Sequence, residues 1–302
     1  MEISMSNKKK LFTISTALYL LLSPNISFSE TIVDDIDRQF RLYISGQYKP
    51  SLSVFSNFSV KETNVTTKYL TALKKDADPT EKTGSTPHEK GLGKPDNFNI
   101  PYKVEFEDNA VSFSGAVGFS YPEGLRIEIE ASYEEFDVKN PGGYTISNAF
   151  RYFALVRESE SSKEPQPKNP NSAGNNKIFH TVMRNDGVAI SSITINGCYD
   201  FSLSQLPVLP YICGGIGIDT IDFFDALHIK FAGQGKLGIT YPLSGNINLF
   251  ADGYYHKVIS NQFKNLNVQH VAELNDDPKV TSAVATLNIS YFGGEIGVRY
   301  IF

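Results

Sequence analysis

The chain has 302 residues, of which 28 are lysine or arginine and 33 are aspartate or glutamate, so its formal net charge is −5. This slightly acidic balance argues against a nucleic-acid-binding protein, because such proteins neutralise phosphates with clustered basic residues. Phenylalanine (21), tyrosine (16) and glycine (23) are abundant and tryptophan is absent. Any aromatic belt at a membrane surface would therefore consist of tyrosine and phenylalanine.

The N-terminal segment has the layout of an export signal. Three lysines, Lys8 to Lys10, precede an apolar run from Leu11 to Leu22, and small residues follow at Ser27 and Ser29. The run is too short to cross about 30 Å of hydrocarbon as a helix. We therefore expect residues 1–29 to be a cleavable signal peptide and residues 30–302 to be the exported protein.

The exported part alternates apolar and polar residues without a long continuous apolar stretch. An exported chain without a spanning helix is either soluble or a closed transmembrane barrel. Apart from helices, only closed barrels pair all backbone N–H and C=O groups within lipid. Period-two alternation predicts eight strands, at roughly 40–49, 110–121, 125–137, 188–201, 210–219, 228–241, 246–257 and 286–302. Further strands within 52–70 or 144–156 would raise the number to ten or twelve.

The connections between these strands alternate in length. Outer-membrane barrels combine short periplasmic turns with longer extracellular loops. The predicted extracellular loops are the longer connections, at about 50–109, 138–187, 220–227 and 258–285. Within them, the polar segments 74–99 and 157–177 are not expected to bury a core. The pattern predicts an all-β, up-and-down antiparallel transmembrane barrel, most simply with eight strands.

One face of each predicted strand is apolar and the other carries polar residues of both charge signs. Polar-in, apolar-out alternation is typical of a membrane barrel. The candidate lumen-lining residues are Arg41, Arg126, Glu128, Glu130, Lys230, Lys236, Asp252, Glu295 and Arg299. Because an eight-stranded barrel is narrow, these charges would either interlock as a plug or line a small-solute pore.

Cys198 and Cys213 are equidistant from a turn centred between Gln205 and Leu206. In a simple two-stranded ladder they would face each other on the lumen side. Export permits a disulfide between them, and the alternative is a pair of buried thiols.

The chain ends in a strand whose apolar phase includes Tyr300 and Phe302. A terminal phenylalanine in such a strand is typical of outer-membrane barrels, so we expect these two residues to form the signal read by the barrel-assembly machinery.

Candidate catalytic or metal-binding constellations are weak. The five histidines show no metal-ligand spacing, and neither cysteine belongs to a zinc pattern. Gly233 to Gly238 match a dinucleotide fingerprint, but they lie within a predicted strand rather than at a strand-to-helix turn. We therefore expect no enzyme activity, cofactor or metal.

Several long stretches resemble a known family, namely residues 98–140, 195–201, 210–224, 229–258 and 293–302. Together they are similar to the major surface antigens of Ehrlichia- and Anaplasma-type obligate intracellular bacteria. The resemblance implies an immunodominant outer-membrane barrel, surrounded by lipid, whose variable loops meet host surface molecules and antibodies. Some members of that family act as porins.

Two functions follow from these expectations. The first is a surface antigen with passive diffusion of small hydrophilic solutes through the barrel. The second is a sealed-barrel adhesin or structural outer-membrane protein without pore activity. No nucleic-acid partner is expected.

Overall fold

The computed structural model describes residues 41–80, 91–157, 180–203, 206–268, 270–271 and 282–302. The described strands of the first half are β1 (Arg41–Tyr48), β2 (Ser51–Ser53), β3 (Ser56–Glu62), β4 (Thr67–Leu73), β5 (Phe98–Pro101), β6 (Phe113–Ser120), β7 (Leu125–Phe136) and β8 (Tyr152–Arg157). Those of the second half are β9 (His180–Arg184), β10 (Val188–Asp200), β11 (Leu209–Phe223), β12 (Ala226–Pro242), β13 (Ile247–Val258), β14 (Gln262–Leu266), β15 (His270–Val271), β16 (Ala283–Asn288) and β17 (Ser290–Ile301). Short 3₁₀ turns cover Pro95–Asn97 and Ala149–Arg151.

Eight of these strands form a closed antiparallel barrel in the order β1-β6-β7-β10-β11-β12-β13-β17. The last strand pairs with the first, with Tyr43 opposite Ile301 and Tyr48 opposite Ile296. The prediction of an eight-stranded up-and-down barrel is confirmed. Strands do occur within 52–70 and 144–156. β3, β4 and β8 join other sheets, and β2 only adds a short pairing to β17, so the closed barrel keeps eight strands.

The outward face of the barrel is apolar. Large side chains such as Ile216, Phe231, Leu237 and Ile296 are at least 66% exposed, which is the surface that a transmembrane barrel presents to lipid. The inward face is polar and buried. Among the described residues, no helix has the length and apolar character needed to cross a membrane.

The long connections fold into two further sheets, which we call the lobe. One sheet has the order β14-β16-β3 and the other the order β15-β9-β8-β4-β5. An apolar core runs from the barrel interior at this end into the lobe, and it includes Phe136, Ile221, Phe153, Met183 and Leu287. We call this end of the barrel the lobe end. The opposite end, with the short connections at 121–124 and 243–246, is the turn end.

Three expectations about the connections need correction. Residues 220–227 do not form a loop, because β11 and β12 meet in a two-residue turn at Phe224 and Asp225, both with φ of 55°. This positive-φ pair is the geometry that suits a tight hairpin. The connections 50–109, 138–187 and 258–285 contain strands of the lobe.

The polar segment 74–99 also contributes to a core, because Ala77 and Phe98 are buried. Polar composition does not prevent isolated apolar residues from packing when neighbouring strands supply the other side of the core. The predicted signal peptide at 1–29, part of the polar segment 74–99 (residues 81–90) and most of the segment 157–177 lie outside the described residues.

Candidate functional site

Four charged side chains meet at the centre of the barrel and form what we call the central quartet. Strand alternation turns Glu130 of β7, Lys236 of β12 and Glu295 of β17 inward, and Lys49 follows β1 in the same phase. Lys49 Nζ lies 2.9 Å from Glu130 and 3.1 Å from Glu295, and Lys236 Nζ lies 2.6 Å and 2.8 Å from the same two carboxylates. Each carboxylate bridges two ammonium groups, so the quartet is neutral.

Buried amides add hydrogen bonds to one carboxylate of the quartet. The amide nitrogens of Asn196 and Gln234 both donate to Glu130 at 3.0 Å. Lys49 also lies 4.5 Å from the ring centre of Tyr254. A buried ion pair is tolerated only when such additional contacts replace the lost water. The centre of the barrel is therefore a connected polar network that extends from wall to wall.

A second cluster fills the interior towards the turn end. The Arg126 guanidinium lies 2.8 Å from Asp200 and 3.3 Å from Glu128. The Tyr43 hydroxyl donates to Glu128 at 2.6 Å. Asp252 accepts a short hydrogen bond from the Tyr211 hydroxyl.

Arg299 also belongs to this cluster, where it stacks on aromatic rings and forms no ion pair with a carboxylate of the described residues. Its guanidinium carbon lies 5.0 Å from the ring centres of both Tyr43 and Phe250. The space left between Arg126, Arg299 and their neighbours has a volume of about 10 Å³. This volume is at the lower limit of what one water molecule needs.

A third layer lies towards the lobe end. The Ser51 hydroxyl donates to Glu134 at 2.6 Å, and His256 lies 2.9 Å from Asp219. The His256 ring stacks on Tyr291 at 4.7 Å. His256 and Asp219 are fully buried, so a substrate has no access to this histidine–carboxylate pair. Above this layer the interior becomes apolar.

The structure places most, but not all, of the predicted lumen-lining residues inside the barrel. Seven are buried there: Arg126, Glu128, Glu130, Lys236, Asp252, Glu295 and Arg299. Arg41 is in the same phase but is exposed at the turn end, because the strand begins there. Lys230 is only partly covered and donates to the Gln262 carbonyl at 2.6 Å, since β14 packs against this part of β12. These two assignments to the lumen were wrong.

Lys49 was missed, although it is fully buried and central. It immediately precedes Pro50, which marks a strand end in sequence-based reasoning. Its phase, two residues after Gln47 and six after Tyr43, could have identified it as an inward residue. Asn196 was missed because an uncharged amide in a polar phase carries no distinctive signal.

The two cysteines lie directly opposite each other on β10 and β11. The structure joins Cys198 and Cys213 in a cross-strand disulfide on the inward face. At the C-terminus, the rings of Tyr300 and Phe302 lie edge to face at 5.1 Å, and the Phe302 N–H donates to the Leu42 carbonyl. Their recognition by the assembly machinery stays a prediction.

Comparison with known proteins gives the family. A family model described as "Surface antigen" matches residues 35–302. Major surface antigen 4 of Anaplasma marginale is 29% identical over 262 residues, which are 86% of this chain and 83% of that protein.

Solved outer-membrane barrels are also similar, at low sequence identity. The outer membrane protein OprG of Pseudomonas aeruginosa is 12% identical, with a TM-score of 0.46 and coverage of 88% of this chain and 97% of its own. Neisserial surface protein A is 12% identical, with a TM-score of 0.34 and coverage of 87% and 97%. Because the family model matches nearly all of the predicted exported part, the chain belongs to the surface antigen family and is a bacterial outer-membrane β-barrel.

Proposed function

We propose that this protein is a sealed outer-membrane barrel that holds its lobe at the cell surface, and that it does not conduct solutes. The observation that carries the proposal is the central quartet, in which each ammonium is within 3.1 Å of two carboxylates from different strands. A conducting pore lined by charge keeps its lining groups in water. Here the charged groups bond to one another across the interior.

Two further features support a closed barrel. The space between Arg126 and Arg299 is about 10 Å³, which is far too small for a hydrated sugar or amino acid. At the lobe end, Phe136, Ile221 and Tyr291 belong to an apolar core that continues into the lobe. A solute would have to cross both layers.

The same apolar core supports the display role. It joins the strands of the barrel to those of the lobe, so the lobe has a fixed position relative to the membrane. A rigid surface attached to the barrel suits recognition by antibodies and host surface molecules, because little ordering entropy is lost on binding. The family description, surface antigen, agrees with this role.

Solute flux tests the closed barrel. Proteoliposomes containing refolded protein should swell in arabinose or glycine no faster than protein-free vesicles, with a general porin as positive control. Two variants distinguish a lumen pathway from leakage around the protein: Lys236→Gln inside the barrel and Lys257→Gln on its outward face. Flux that changes with Lys236→Gln but not with Lys257→Gln would show that solutes pass through the lumen, and the proposal would fail.

Surface labelling tests the display role. Cysteine introduced at Tyr69, which is 49% exposed on the lobe, should react with a membrane-impermeant maleimide on intact cells. Cysteine introduced at Glu123, in the turn between β6 and β7, should react only after lysis. The reverse pattern would place the lobe on the periplasmic side and contradict the proposal.

A further inference from the structure

The wall of the protein splits at the lobe end, between two strand edges. At Ser51 the wall is continuous, because Ser51 and Asn109 exchange two backbone hydrogen bonds of 2.8 and 2.9 Å. Beyond this point, β2 pairs with β17 and β3 pairs with β16. Residues 105–107 instead follow 137–139, with the Lys139 N–H donating to the Glu105 carbonyl at 2.9 Å. The two paths diverge.

A groove of about 400 Å³ occupies the split. Phe55, Phe58 and Phe106 form its apolar floor, and the rings of Phe55 and Phe106 meet edge to face at 4.9 Å. Glu105 and Asp108 lie along one side, on the segment 104–108, and Glu105 also forms an exposed ion pair with Lys139 at 3.4 Å. The Ser53 N–H donates to the Asp108 carboxylate at 2.8 Å. The Asp108 side chain thus occupies the position in which the carbonyl of a neighbouring strand would accept this hydrogen bond.

The groove presents the edge of a sheet. Among the described residues β3 pairs only with β16 and is the edge strand of its three-stranded sheet, with a bulge at Asn57, where φ is 58°. An unpaired strand edge carries N–H and C=O groups that can pair with another extended chain. A strand residue occupies about 3.3 Å along the strand, about 4.8 Å between strands and about 10 Å between sheets, which gives about 160 Å³ for each residue of an added strand. The groove therefore has room for two or three residues.

We propose that this groove binds an extended peptide segment that adds to the edge of β3. Its central apolar side chain would pack on the phenylalanine floor, and basic residues on either side would face Glu105 and Asp108. This is recognition by strand addition, in which the backbone supplies affinity and side-chain pockets supply specificity. The same two carboxylates disfavour an anionic lipid headgroup, although the exposed Val54 and Val111 lie close to the groove in sequence. The inference goes beyond display, and it does not depend on whether the barrel conducts.

Binding can be measured on the full exported chain in nanodiscs of zwitterionic lipid. The probe is a pool of fluorescein-labelled hexapeptides with lysine at the second and fifth positions and valine, leucine, isoleucine or phenylalanine at the third and fourth positions. Fluorescence anisotropy should show saturable binding above that of empty nanodiscs. A pool with alternate backbone amides N-methylated should bind at least tenfold more weakly, because it cannot complete the strand pairing.

Variants locate the site. Ser56→Trp, which fills the groove from an exposed position, and the double variant Glu105→Lys/Asp108→Lys should each weaken binding at least fivefold. Glu123→Lys, at the turn end, is the matched charge control and should bind like the parent. Absence of saturable binding, equal binding by the N-methylated pool, or binding unchanged by Ser56→Trp would overturn the proposal. Displacement of the peptides by anionic lipid at the same groove would identify a lipid site and overturn it as well.

Discussion

Removal of the Lys49 ammonium tests the central quartet directly. Lys49 Nζ is 2.9 Å from Glu130 and 3.1 Å from Glu295. At about 3 Å and an effective dielectric constant of about 20, each pair is worth roughly 5 kcal/mol before desolvation is subtracted. Lys49→Met leaves two carboxylates with one buried ammonium. Loss of one partner of a buried pair costs about 3–5 kcal/mol, and we expect the free energy of unfolding to fall by that amount.

The measurement is urea unfolding of protein inserted in lipid vesicles, followed by circular dichroism and tyrosine fluorescence, since the chain has no tryptophan. The double variant Lys49→Met/Glu130→Gln restores neutrality in the quartet. It should be less destabilised than the sum of the two single variants, with a coupling energy of about 2–3 kcal/mol. Lys257→Met, at an exposed outward position, is the control and should stay within about 0.5 kcal/mol of the parent.

A Lys49→Met variant as stable as the parent would refute this reasoning. It would mean that water solvates Glu130 and Glu295 and that the interior is open to solvent. The same result would favour the diffusion channel over the sealed barrel. The flux assay and the stability assay therefore test one physical property, the exclusion of water from the barrel centre, by independent measurements.

Three further predictions concern other parts of the chain. Thiol titration of unreduced, denatured protein should find no free thiol, and two free thiols would contradict the disulfide. The free energy of unfolding of the Cys198→Ser/Cys213→Ser variant should be about 3 kcal/mol lower than that of the parent, as expected for a cross-link over 15 residues. Arg157→Met removes the guanidinium that lies 2.7 Å from the buried Glu62 carboxylate. Limited proteolysis should then cut the lobe faster than in the parent while the barrel core stays intact. Unchanged cleavage would show that this pair does not stabilise the lobe. Phe302→Ser should lower the fraction of protein assembled in the outer membrane of cells but leave refolding in detergent unchanged, and equal losses in both would indicate a purely structural role.

The barrel was predictable because its signal is local. Strand alternation has a period of two, and each residue's phase follows from its immediate neighbours. Eight strands, their approximate limits and the inward position of Arg126, Glu130 and Glu295 could all be read in this way. The opposition of Cys198 and Cys213 was equally local, since a hairpin register depends only on the intervening turn. Arg41 and Lys230 have the same phase but lie where the barrel ends, and phase alone does not show where a barrel stops.

The lobe and the pairing of the inward charges were decided by tertiary structure. β4 pairs with β8 across more than 80 residues, and β3 pairs with β16 across more than 200. Local alternation cannot specify partners so far apart in sequence, and the polar composition of the connections suggested loops instead. The sequence also did not determine whether the inward charges would contact water or one another. This depends on the distances of Lys49 and Lys236 from two glutamates, and the four residues come from four separate places in the barrel wall. The sequence by itself determined a membrane barrel with a charged interior. Only the closure of eight strands brought the ammonium groups of Lys49 and Lys236 within 3.1 Å of both carboxylates, so that the inward charges pair with one another.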